Sequence, residues 1–141
     1  MGPIQILWIA FVLLTAAVNF DIRSRQIPDS LSVCLLGLAL AATGFHLHSV
    51  GWLNLISGLA LGFVSGLILF RMGGFGGGDV KLLASLGAVL GLRDELTVMF
   101  YVAVVGGILA LVALLRGQRE YAYGPAIALG LLSFILKGYW R

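Results

Sequence analysis

Residues 71–83 read Arg71-Met-Gly-Gly-Phe-Gly-Gly-Gly-Asp-Val-Lys-Leu-Leu83. Gly73, Gly74, Gly76, Gly77 and Gly78 fall within six positions, and the run ends on a carboxylate, Asp79. Each glycine in a helix costs about 0.8–1.0 kcal/mol relative to alanine, so no stable helix runs through this stretch. Both flanks are apolar: "LISGLALGFVSGLILF" (55–70) before it and "VKLLASLGAVLGL" (80–92) after it. The stretch is therefore a break between two apolar helices. A simple turn needs one or two glycines. A longer run lets another extended backbone pass close by, and it lets Asp79 swing toward a partner group.

The rest of the chain sets the solvent of those helices. It has 141 residues, 60% hydrophobic and 11% charged, with a mean hydropathy of +1.06. A soluble domain of this size carries about 25% charged residues. The composition predicts an all-α fold: a polytopic membrane helical bundle forming one domain over residues 1–141. The net charge of +3 serves to orient spans and gives no ground for a nucleic-acid partner. The single cysteine, Cys34, can form neither an internal disulfide nor a cysteine-based zinc site, and it reads as a small hydrophobe. Residues 1–20 lack a basic n-region and a clean cleavage site, so they read as a retained membrane helix.

Apolar runs occupy about 3–20, 30–49, 51–70, 80–92, 96–115 and 121–138, which predicts about six transmembrane helices with the glycine-rich loop before the fourth. The fourth run reaches only ~20 Å against a ~30 Å hydrocarbon core, as expected of a tilted helix or a half-helix. With the N-terminus outside, Arg23, Arg25, Arg71, Lys81, Arg116 and Arg119 fall on the inner side, and Arg93, Lys137 and Arg141 on the outer. The excess on the inner side favours this orientation. It puts loops 21–29 and 71–80 on the cytoplasmic side together. Gly58, Gly62 and Gly66 recur every four residues on one face of the third run, a signal of close helix packing.

Six acids remain to be placed: Asp21, Asp29, Asp79, Asp94, Glu95 and Glu120. Asp94 and Glu95 beside Arg93, and Glu120 beside Arg119, read as solvated turn or cap residues. Asp21 and Asp79 each stand where an apolar run meets the inner interface, and an ionisable group there is a functional candidate. As structural residues, Asp21 would pair with Arg23 or Arg25, and Asp79 would cap its helix. Two carboxylates brought together cannot both ionise cheaply, which provides a base and an acid side by side. Such a pair can draw a proton from water and donate one to a peptide carbonyl, with no metal and no other cofactor. His46 and His48 fall at the outer end of the second run, away from both acids.

At this point the chain resembles the GxGD aspartyl proteases of the type IV prepilin peptidase family. The Gly-x-Gly-Asp motif is Gly76-Gly77-Gly78-Asp79. "DIRSRQIPDSL" carries an acid, Asp21, followed by Ile27-Pro28-Asp29, and "YAYGPAIALG" supplies Gly124-Pro125 at the start of the last run. The resemblance implies Asp21 and Asp79 as the catalytic dyad. Gly76, Gly77, Gly78 and Lys81 would form its supporting loop, and Ile27, Pro28, Asp29, Gly124 and Pro125 motif positions. Asp29 stands where the family more often has Asn. It is expected to cap the second helix after Pro28, while Lys81 could tune Asp79.

The larger members of that family carry a methyltransferase region with paired cysteines, absent from these residues. The chain therefore looks like the short form associated with tight-adherence (Flp-type) pili. The implied partners are a prepilin, with a basic leader before a hydrophobic helix, and the lipid bilayer; homo-oligomerisation stays open. The implied location is the bacterial inner membrane, multi-pass, with the site facing the cytoplasm. The competing expectation is a small proton- or ion-coupled transporter using interfacial Asp residues, and a third is an inactive assembly scaffold.

Overall fold

The computed structural model describes residues 3–24, 28–47, 49–73, 76–117 and 123–139. Arg25, Ile27, His48, Gly74, Arg119, Glu120 and Arg141, singled out above, lie outside the described residues. Six helices follow in order: α1 (Pro3–Ser24), α2 (Asp29–Gly44), α3 (Trp52–Arg71), α4 (Gly77–Leu90), α5 (Leu92–Leu115) and α6 (Gly124–Tyr139). The all-α bundle expected from composition is present, with no strand among the described residues. Among the described residues, three helices are long and apolar enough to cross a membrane: Ile4–Arg23, Trp52–Arg71 and Leu92–Leu115. Asp29–Gly44 and Gly124–Gly138 are shorter apolar helices.

The short fourth helix is the axis of the bundle. In α4, Val80 and every residue from Leu82 to Leu90 are buried, whereas Lys81 is exposed. α3 and α2 pack most extensively on it, with α5 and α1 completing the enclosure. Fourteen residues at about 1.5 Å each give ~21 Å. A helix wrapped by protein need not match the hydrocarbon thickness, so its shortness carries no mismatch cost.

The glycine stripe of α3 explains how close α4 can come. A Cβ on Gly58 would run into the Gly87 carbonyl of α4, and one on Gly62 into the Leu83 carbonyl. One on Gly66 would sit 3.1 Å from Val80 Cα. The contacts step along α3 by four residues while retreating along α4, as expected of an antiparallel pair whose i±4 rows meet.

α4 and α5 are joined through Gly91 alone, whose φ of +77° lies in the left-handed region that favours glycine. This corrects one boundary. Arg93, Asp94 and Glu95, expected in a turn, belong to the first turn of α5.

Candidate active site

Both candidate carboxylates lie inside helices. The apolar run of α1 ends at Phe20, but the helix continues to Ser24 and carries Asp21 in its last turn. Asp79 is the third residue of α4. Its Oδ2 accepts a hydrogen bond from the Gly76 backbone N–H at 3.0 Å, so the side chain reaches back to satisfy an otherwise orphaned donor. A carboxylate in the first helical turn also faces the positive end of the peptide dipoles. Asp79 is therefore not the N-cap expected of it as a structural residue: Gly76 holds that position, and Asp79 binds the Gly76 N–H from the third helical position with one of its oxygens.

The other oxygen is left over. Asp79 is 5% exposed and Asp21 9% exposed. Asp79 Oδ1 and Asp21 Oδ2 are buried without a hydrogen-bond partner among the described residues. The two side chains are close enough for the charge of Asp21 to act on Asp79. The site thus holds two buried carboxylates, each with one oxygen that has no partner among the described residues. A salt bridge from Asp21 to Arg23 is not among the ion pairs of the described residues.

The start of α6 closes the third side. A Cβ on Gly124 would come 3.0 Å from Asp21 Oδ2 and 3.4 Å from Val18 Cγ2, so only a glycine leaves the carboxyl its present place. Pro125 follows at the second helical position, where its missing N–H removes no intrahelical bond. The segments carrying Asp21, Asp79 and Gly124, separate in sequence, therefore converge at one end of the bundle. Ile27 lies outside the described residues. Gly77, Gly78 and Lys81, expected in a supporting loop, are instead residues of α4, and only Gly76 of that set stands before the helix.

Two expectations for neighbouring residues are corrected. The cap residue of α2 is Pro28, with no side-chain cap bond, and Asp29 is the first helical residue. Asp29 instead receives Lys81: the ammonium sits 2.8 Å from both carboxylate oxygens. Lys81 is therefore committed to Asp29 and not to Asp79. The pair clips the start of α2 to the N-terminal half of α4, with both side chains more than half exposed (56% and 68%).

Glu95 is the residue that sequence reasoning missed. It is fully buried, and neither carboxyl oxygen has a partner among the described residues. Its Cδ lies 3.3 Å from where a Cβ on Gly87 would stand, near the end of α4 opposite Asp79. A signal existed: Glu95, Val98, Val102 and Gly106 are spaced by three and four residues and form the buried face of α5.

Fold and site together define a helical membrane protein with two buried acids at one end of its bundle. The pattern of the type IV leader peptidase family matches residues 8–111. Similar curated proteins are each called prepilin leader peptidase/N-methyltransferase. The one from Xanthomonas campestris pv. campestris is 33% identical, covering 91% of this chain and 50% of its own length. That from Bacillus subtilis is 31% identical, covering 90% and 53%, and that from Neisseria gonorrhoeae 31%, covering 86% and 45%. The chain belongs to the type IV leader peptidase family. It spans about half the length of these relatives. No solved structure matches it.

Proposed function

We propose that this chain is an aspartic endopeptidase that removes the leader peptide of prepilin precursors, of the type IVb or Flp-type class, at the cytoplasmic face of the bacterial inner membrane. The observation that carries the proposal is the burial of Asp21 and Asp79, each keeping one oxygen without a partner among the described residues. Family membership and relatives named for leader cleavage support it. Nothing in the comparisons favours a transporter.

The chemistry follows from the pair. One carboxylate takes a proton from a water held between them, and the resulting hydroxide oxygen bonds to the scissile carbonyl carbon. The other, protonated, aspartic acid donates to the carbonyl oxygen. The tetrahedral intermediate then breaks its C–N bond as the amine nitrogen receives a proton from the first acid and the second carboxylate takes back the proton it gave to the carbonyl oxygen, giving a free carboxyl, a free amine and the dyad in its starting state. Asp79 is suited to repeated exchange because the Gly76 N–H fixes one oxygen and leaves the other free to work.

The test is leader removal from a prepilin by the purified protein in detergent or vesicles. Asp21→Asn and Asp79→Asn, near-isosteric and without titratable oxygen, are each expected to lower turnover at least ~100-fold, the usual scale of a lost acid or base. Near-normal cleavage by either variant overturns the proposal. Loss in Asp29→Asn with activity kept in Asp21→Asn would move the first acid to position 29.

A further inference from the structure

The first turn of α4 holds backbone donors that the fold does not use. The ladder of α4 starts with the Val80 N–H, which donates to the Gly76 carbonyl at 3.3 Å. The N–H groups before it have no intrahelical acceptor. The Gly76 N–H goes to Asp79 Oδ2. Those of Gly77 and Gly78 have no partner among the described residues. Gly77 is exposed and Gly78 half-buried. A Cβ on Gly77 would meet nothing within 4 Å, and Gly77 is not among the glycines with positive φ. Position 77 therefore has room for a side chain, and its N–H stays open to an approaching chain.

A second group marks the same end of the helix. Asp79 is 5% exposed, and its carboxyl curls back over this turn to reach Gly76. Its two oxygens share one carbon. Oδ1, buried and without a partner among the described residues, therefore lies at this helix end as well. The turn thus offers two N–H donors beside an unengaged carboxyl oxygen. That combination selects its ligand. A helix N-terminus alone attracts anions, but an anion here would lie against the Asp79 carboxylate and be repelled by it. A neutral acceptor meets no such repulsion. In a peptide the neutral acceptor present at every residue is the main-chain carbonyl.

We propose that the Gly77 and Gly78 N–H groups bind a main-chain carbonyl of the substrate beside the scissile bond, and so set which peptide bond lies at Asp79. This rests on the peptidase reading above. Successive residues of an extended chain are ~3.3 Å apart. Holding one carbonyl at hydrogen-bond length therefore fixes the position of its neighbour to within one residue. The contact reads no side chain, so it specifies the register of the cut and leaves the choice of sequence to other contacts.

Proline tests the donor by itself. Gly77 is the first helical residue, where proline is favoured. Gly76, with φ −82° and ψ 162°, already has the extended backbone that the residue before a proline adopts. Gly77→Pro deletes one N–H, and Gly77→Ala keeps it. Affinity is read by fluorescence anisotropy with a labelled prepilin peptide whose scissile amide is reduced to CH2–NH, so that it binds without being cut. The expected result is a Kd about tenfold weaker for Gly77→Pro, the scale of one lost hydrogen bond, and about that of wild type for Gly77→Ala. Cleavable peptides with a thioamide placed in turn at each carbonyl flanking the cut then show which one is held, since sulfur is the poorer acceptor. One position should slow wild type about tenfold and slow Gly77→Pro no further. The scan on wild type needs no variant to fold.

Unchanged affinity in Gly77→Pro, an equal loss in Gly77→Ala (room rather than the donor), or a scan without a sensitive position overturns the proposal. Cutting of the unmodified peptide by wild type is scored separately. A protein that binds the reduced peptide in this Gly77-dependent way and never cuts counts against the peptidase reading. Normal cutting with no effect of Gly77→Pro counts against the donor alone.

Discussion

Gly62→Ala probes the packing that holds Asp79 in place. The added Cβ would strike the Leu83 carbonyl oxygen and lie 2.9 Å from its carbon and 3.0 Å from Ala84 Cα. All are backbone atoms, so no side-chain rotation gives relief. α3 and α4 would have to part by about 1 Å to bring the Leu83 carbonyl oxygen back to ordinary contact, which begins at 3.4 Å. Overpacking of a tight contact costs about 1–3 kcal/mol, and alanine's better helix propensity offsets about 0.8–1.0 kcal/mol of it. Because the clash is with backbone, the upper part of that range (about 2–3 kcal/mol) applies, and the net expectation for Gly62→Ala is a loss of ~1–2 kcal/mol. Gly66→Ala meets Val80 Cα at 3.1 Å and Val80 Cγ1 at 3.3 Å, a shortfall of a few tenths. There the two effects nearly cancel, leaving ~0–1 kcal/mol of destabilisation. Gly37→Ala on α2 meets nothing within 4 Å and should stabilise by roughly 0.5–1 kcal/mol through propensity alone.

Thermal unfolding in one fixed detergent, followed by fluorescence, reads the series. The expected order of stability is Gly37→Ala, wild type, Gly66→Ala, Gly62→Ala. Because α4 carries Asp79 at its start, Gly62→Ala should also slow leader removal at temperatures where it is still folded. A Gly62→Ala protein as stable as wild type, or less perturbed than Gly66→Ala, would show that α3 and α4 do not meet along this stripe.

That stripe was legible in the sequence because spacing by four is a local pattern, and so was the membrane bundle, because hydropathy is a sum over residues. The convergence of Asp21 with Asp79 was legible only as topology: alternating spans place residues 21 and 79 at the same end. Burial of α4 was not. An apolar segment reads alike whether lipid or protein surrounds it, so length alone made it a half-helix, while its neighbours made it the core. The partner of Lys81 lies 52 residues away on another helix, and no local rule selects Asp29 over Asp79. Glu95 was misplaced because consecutive charges, Arg93-Asp94-Glu95, read as a solvated turn. Once they lie on a helix, successive side chains point about 100° apart, and the third of them turns inward onto Gly87.

Two of these corrections make predictions of their own. The exposed Lys81–Asp29 pair should contribute about 0–1 kcal/mol, so Lys81→Gln should unfold within a few degrees of wild type and cleave within about threefold of it. The double exchange Asp29→Lys with Lys81→Asp should recover whatever either single change loses. Glu95 sits at the far end of α4 with both oxygens buried and unpartnered among the described residues. Such a group costs about 1–3 kcal/mol of desolvation that no bond returns. Glu95→Met, similar in length and volume, removes that cost without opening a cavity. The expected result is a protein more stable in detergent by about 1–3 kcal/mol with unchanged leader removal. A loss of stability instead would mean that the Glu95 oxygens are bonded in the working protein. Slower cleavage at full stability would mean that α4 couples its Gly87 end to Asp79, so that the two buried acids at its ends act on one another through a single rigid helix.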